Sequence, residues 1–138
     1  SKESAAKALN NAWEGIGKKL KVLVQVNVGK EASKDGVAPE EAEDFLKTVL
    51  KMKYLQPVGL MTVPPLCQGQ EVRGYFSLLR NLLRSLQWAP EVTGVPCDEP
   101  SMGMSHDSEE AISEGSTIPR TGSVLFGERK KNTDKNTL

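Results

Sequence analysis

Apolar residues recur along this chain at helical spacing, then at strand spacing, and the alternation repeats. Ala5, Leu9, Ala12, Trp13 and Ile16 predict a helix over Ser4–Ile16, stopped by Gly15 and Gly17. The run LKVLVQVNV, Leu20–Val28, puts Val22, Val24, Val26 and Val28 on one face and Leu23, Gln25 and Asn27 on the other. Its length and β-branched content predict a parallel strand covered by helices. The polar Gln25 and Asn27 in such a strand either satisfy neighbouring backbone or line a cavity. Pro39 opens a second helix, with Ala42, Phe45, Leu46, Val49 and Leu50 as its buried stripe. Its acids lead and its lysines follow, which suits the helix dipole.

Leu55–Val63 reads as a second strand, with Pro57 near its start and Pro64 and Pro65 ending it. Val72, Phe76, Leu79, Leu83 and Leu86 define a long helix over Gln70–Gln87. Trp88–Pro100 reads as irregular. Ser101–Met104 is then a short strand delivering Ser105 to its C-terminal end. Asp107 with Glu110 matches a capping box for a helix ended by Gly115. Ser116–Arg120 is the predicted last strand and Thr121–Gly127 the last loop. Residues 1–129 read as one domain, and the polar stretch 130–138 as a disordered tail. Helix and strand in strict alternation call for a parallel sheet. A barrel of eight such units takes about 250 residues, and this chain of 138 residues supplies strands for half of one.

Composition narrows the field. Lys+Arg 18 against Asp+Glu 18 leaves no net charge, which removes the general case for nucleic acid or an anionic membrane. No apolar run approaches the ~20 residues of a membrane span, and SKESAAKALNNAWE lacks the apolar core of a secretory signal. Cys67 and Cys97 lie far apart and outside any CxxC, which argues against a disulfide framework or zinc site and for a reduced, intracellular setting. Aromatics at 5% are too few for a base-stacking surface.

The chemistry-bearing stretch is Ser101–Arg129. Ser105 closes SMGMS, and Arg120, Gly122 and Ser123 follow within GSTIPRTGSVLFG. Glycine lets backbone approach a phosphate, free N–H groups donate to it, and a hydroxyl completes the cradle. The same residues also make tight turns, so the stretch is either an anion site or a pair of turns. Lys30 and Lys34 in GKEASKDGVA read as a solvated loop. His106, the single histidine, reads as a helix-start residue, and Cys67 as incidental.

Three blocks in order, LKVLVQVNVGKEASKDGV, VGLMTVPP and SMGMSHDSEEAISEGSTIPRTGSVLFGER, resemble the pyridoxal phosphate homeostasis protein family, single-domain relatives of the alanine racemase N-terminal barrel. The resemblance implies a TIM-barrel-like α/β fold of which this chain carries strands five to eight. It implies binding of pyridoxal 5′-phosphate (PLP), with Ser105, Gly122 and Ser123 on the phosphate and Arg120 near the pyridine nitrogen. Gln25, Asn27, Met61 and Met104 are implied to lie around the ring. An arginine there keeps the nitrogen unprotonated, because a second positive charge beside it is unfavourable. That weakens the ring as an electron sink and suits a carrier better than a catalyst.

The family's Schiff-base lysine stands at the end of strand one, and no lysine of this sequence occupies a matching position. The expectation is therefore an intracellular PLP-buffering or delivery protein of the cytoplasm, with mitochondria as a second compartment, without turnover, catalytic residues or a metal. Two alternatives stand beside it. One is a racemase-like PLP enzyme, which would need a tyrosine that nothing here resembles. The other is a fragment that binds no cofactor alone. The full-length family is monomeric, whereas half a barrel leaves open sheet edges, so marginal stability or self-association is expected. Pro119, Thr121 and Pro100 depart from the family's apolar residues and threaten the pairing of the last two strands.

Overall fold

Residues 3–127 are described by the computed structural model; the predicted 130–138 tail lies outside them. Helix α1, Glu3–Ala12, stops short of Ile16 because Gly15 and Gly17 adopt positive φ. Strand β1 spans Leu20–Gln25, α2 Ala42–Leu50, β2 Leu55–Met61 and α3 Gln70–Ser85. Pro39 opens a 3-10 turn over Pro39–Glu41 that leads into α2.

The strands form one parallel sheet in the order β1-β2-β3, with β3 at Glu99–Ser101. Along β1 and β2 the register slips between Val22 and Leu23, opposite Pro57 and Gly59. Pro57 cannot donate to the ladder, and a bulge beside it is how a sheet absorbs that loss. At Gly59 a Cβ would run into the Glu99 carbonyl, so glycine is what lets β3 pair there.

Helices pack on one face. Val24, Val26 and Val28 of the β1 segment, Leu60 of β2, Leu46 of α2 and Phe76 and Leu79 of α3 share one buried core with Met102 and Ala111. A smaller cluster of Ala6, Val49 and Leu55 seats α1 against α2 and the start of β2. On the opposite face Lys21, Leu23, Gln56, Val58, Glu99 and Ile118 line an open cavity of about 460 Å³. The valine side of the β1 segment takes the helix cover from Val24 onward, as expected, while Val22, beside the register slip, also borders the open cavity.

The second half of the chain departs from expectation in four places. The segment predicted to be irregular holds α4, Trp88–Thr93; Pro90 sits in its first turn, where a helix does not need that N–H. Strand β3 begins at Glu99 and ends at Ser101, because Gly103 at φ 91 turns the chain. Helix α5, Ser108–Ser113, starts after Asp107, but the Asp107 side chain caps nothing in it. Instead Asp107 Oδ1 accepts the Met104 N–H at 2.6 Å.

The fourth departure is the predicted last strand, Ser116–Arg120, which is not formed. Thr117 N–H donates to the Pro100 carbonyl at 3.1 Å, as a first rung would. The next rung falls on Pro119, which has no N–H. The Ser116 hydroxyl takes the Met102 carbonyl at 2.7 Å in its place, and the ladder ends. The predicted final loop contains a single turn, α6, Ser123–Phe126, whose Val124, Leu125 and Phe126 are exposed.

Candidate functional site

The C-terminal ends of the three strands are tied together by side chains. Thr62, directly after β2 and fully buried, donates its hydroxyl to the Val26 carbonyl at 2.7 Å. Its N–H donates to the Ser101 carbonyl at the end of β3, 3.1 Å away. Its own carbonyl accepts from Arg120 Nη2 at 2.8 Å. Ser101, 1% exposed, accepts from Arg120 Nη1 at 2.7 Å and donates its hydroxyl to the Ile118 carbonyl at 3.0 Å. The Arg120 N–H donates to the Gly103 carbonyl at 3.0 Å. Arg120 thus lies across the ends of β2 and β3, held at three points.

All three partners are neutral oxygens. No carboxylate stands within ion-pair distance of Arg120 among the described residues. Burial lowers its pKa from the usual arginine range, and the Asp107 charge acts against that from further away. The site therefore holds a half-buried positive charge whose nearest contacts do not neutralise it.

Beside it the Met104–Asp107 turn closes around a buried carboxylate. Asp107 is 2% exposed, with Oδ1 on the Met104 N–H and Oδ2 3.6 Å from His106 Nε2. Gly103 is what lets this turn lie on α5: a Cβ there would stand 2.5 Å from the Ala111 Cβ, at a φ that strains any other residue. Ser105 sits half-buried in the turn, and its hydroxyl has no hydrogen bond within the described residues.

The residues proposed from sequence divide into two groups. Ser105, Met104 and Arg120 share the C-terminal end of the sheet, with Met104 half-buried and tied through its N–H to Asp107. Gly122 and Ser123 follow Arg120 but are exposed, and no hydrogen bond among the described residues joins them to Ser105 or Arg120. Asn27, just past β1, is engaged with its own loop. Its Nδ2 donates to the Glu31 carbonyl at 2.8 Å and its Oδ1 accepts the Glu31 N–H at 3.2 Å. Gln25 Nε2 donates to the Asp35 carbonyl at 3.0 Å. Both polar residues of the strand thus brace the loop that returns to β1 through the Val26–Val37 bridge. Lys30 pairs with Glu40 at 2.9 Å on the exposed surface, as a solvated loop would have it.

Thr62, Ser101 and Asp107 carry most of the hydrogen bonding here, although none of them belongs to the site residues expected from sequence. The available signal was a polar residue at each strand end, Thr62 before PP and Ser101 opening SMGMS.

Residues 1–130 match the model of the alanine racemase N-terminal domain. The chain belongs to that family. Within it, a pyridoxal phosphate homeostasis protein of Aquifex aeolicus is 47% identical over 110 residues, 79% of this chain and 47% of the relative. A protein of unknown function from Bifidobacterium adolescentis has a solved structure with a TM-score of 0.79 and 32% identity, covering 91% of this chain and 50% of that one. PipY of Synechococcus elongatus, solved with PLP bound, matches at a TM-score of 0.74 and 29% identity over 90% of this chain and 57% of that one.

This alanine racemase N-terminal-domain chain spans about half the length of the curated relatives it matches. The resemblance to the homeostasis proteins is borne out, as is the parallel α/β fold of that barrel family. In (β/α)-barrel proteins the functional end is the C-terminal end of the strands, which is where Arg120 is pinned. Among the described residues no helix is long and apolar enough to cross a membrane.

Proposed function

We propose that the C-terminal end of this sheet binds PLP and that the protein serves intracellular PLP homeostasis, holding or handing on the cofactor without turnover. The observation that carries this reading is Arg120, a half-buried cation braced by neutral oxygens. A charge partly withdrawn from water, with no counter-charge in contact with it among the described residues, favours an incoming anion or an electron-rich acceptor. The bonds described take one N–H of each Nη, which leaves three guanidinium N–H groups without a partner among the described residues.

In this reading Ser105, Gly122 and Ser123 hold the phosphate, and Arg120 faces the pyridine nitrogen. Met104 lines the ring, and Asn27 acts at its edge through the loop it braces. Bound PLP supplies an electrophilic aldehyde and an electron-withdrawing ring. The guanidinium opposes protonation of the ring nitrogen and so dampens that withdrawal, which fits a carrier rather than an enzyme. The homeostasis proteins among the relatives and the PLP-bound PipY support the assignment. The acting unit is the 1–129 domain, in the cytoplasm, where the free Cys67 and Cys97 stay reduced. The uncovered sheet face and the exposed Val124, Leu125 and Phe126 support self-association, which light scattering after size exclusion tests.

Equilibrium dialysis of the chain against PLP and against pyridoxal, which lacks the phosphate, tests the binding. PLP is expected to be retained at least about tenfold more tightly, ~1.4 kcal/mol. Equal retention of the two, or none of either, overturns the reading.

A further inference from the structure

Two fully buried hydroxyl residues outside the expected site, Thr62 and Ser101, meet the Arg120 guanidinium at its two Nη atoms. We infer that Thr62 and Ser101 are positioning residues that fix the direction in which Arg120 presents its charge to a ring nitrogen. This inference rests on the binding reading above and concerns how the same site is tuned.

The hydrogen-bond polarity leaves little choice. A serine hydroxyl has one proton, and that of Ser101 goes to the Ile118 carbonyl, so only its lone pairs can face Arg120. The Thr62 hydroxyl proton goes to the Val26 carbonyl, while the Thr62 carbonyl receives Nη2. Neither hydroxyl keeps a proton for a ligand. The Ser101 hydroxyl acts through Arg120 directly, whereas the Thr62 hydroxyl, by bonding Val26, holds in place the Thr62 carbonyl that receives Nη2. Thr62 and Ser101 are 0% and 1% exposed, so water reaches the two guanidinium bonds only from the half-buried Arg120 side.

The interrupted last strand takes part. Because Pro119 ends the ladder, the Arg120 N–H reaches the Gly103 carbonyl and the Ile118 carbonyl reaches the Ser101 hydroxyl. Backbone and side chain of Arg120 are therefore both anchored to the β3 segment, and the side chain also to the end of β2. A long flexible side chain held at two Nη atoms delivers its charge to one place. With the Ser101 hydroxyl removed, one anchor remains and the guanidinium can swing.

Two measurements on the whole chain test this, using wild type, Ser101→Ala and Ser101→Thr. Asp107, whose charge acts on Arg120, and His106, which stands beside Asp107, are unchanged in every variant. The first is ligand-free 15N NMR of the Arg120 guanidinium. Distinct, slowly exchanging Nη signals are expected in wild type, averaged signals in Ser101→Ala, and recovery in Ser101→Thr. The second is the protonation midpoint of the ring nitrogen of bound pyridoxine 5′-phosphate, followed by absorbance. Wild type is expected to lower it relative to free ligand, and Ser101→Ala to give back at least half of that shift.

Identical Nη signals in wild type and Ser101→Ala, or identical midpoints, overturn the inference. Failure of wild type to bind pyridoxine 5′-phosphate overturns the binding reading instead, and the NMR comparison then decides the positioning claim by itself. Should Ser101→Ala not fold, Arg120→Lys serves, because a lysine keeps the charge but cannot span both oxygens. It is expected to lose the midpoint shift, and full retention overturns the inference.

Discussion

Arg120 and Thr62, 58 positions apart in the chain, are joined by a 2.8 Å hydrogen bond from Nη2 to the Thr62 carbonyl. That bond links the end of β2 to a segment that no ladder ties to the sheet beyond Thr117. It makes the C-terminal end of the sheet a braced surface, on which a half-buried charge is held in one place.

The brace has a stability signature. Thr62→Val keeps the shape but removes the hydroxyl that satisfies the Val26 carbonyl. A buried acceptor left unpaired costs about 1–3 kcal/mol, so the urea midpoint should fall accordingly. A midpoint unchanged from wild type contradicts the assignment of that bond.

Gly103→Ala combines two penalties: a φ of 91 for a residue with a side chain, and a Cβ 2.5 Å from that of Ala111. Together they should cost about 2–4 kcal/mol. Adding Ala111→Gly relieves the contact but not the backbone strain. The double variant should therefore recover only part of the loss in chemical denaturation, and full recovery would show that the φ carries no cost.

Phe76 and Phe126 should separate sharply. Phe76 is 0% exposed in the α3 core, whereas Phe126 is 87% exposed on α6. Phe76→Ala should destabilise by about 3–5 kcal/mol and Phe126→Ala by no more than about 0.5 kcal/mol. Comparable thermal shifts for the two would mean that α6 is packed in solution.

Cys97 gives stability a pH dependence. Burial pushes its thiol up to about 11, above the usual cysteine value near which it titrates when unfolded. A raised folded-state pKa means that the stabilisation is complete below the unfolded value and is lost as pH rises from about 9 to about 11. Its size is about 2–3 kcal/mol. Denaturation of wild type and Cys97→Ala across that range should show the gap between them closing as pH rises, whereas parallel curves would contradict it. The half-buried Cys67 should react first with a thiol reagent at pH 8.

Much of the fold was legible because its core elements follow local periodicity. The valines of β1 and the stripe of α3 announce a strand and a helix without knowledge of their neighbours. What escaped depends on neighbours or on position within an element. Pro90 looks like a helix breaker until it is placed in the first turn of α4. Ser116–Arg120 looks like a strand until β3 lies alongside and the missing Pro119 N–H falls on a rung. Asp107 reads as a cap from its spacing to Glu110, yet the turn behind it takes its carboxylate. Arg120 and Ser105 were visible as candidates because charge and hydroxyl sit between glycines. Thr62 and Ser101 were not, because their roles exist only once separate strand ends are brought together.

The most direct test of the central claim is a 1H–15N correlation map of the chain titrated with PLP. Shifts are expected at Ser105, Arg120, Gly122 and Ser123, spreading to the backbone amides of Thr62 and Ser101, with the cavity around Lys21, Gln56 and Val58 unmoved. Shifts confined to that cavity, or none at saturating PLP, would contradict it.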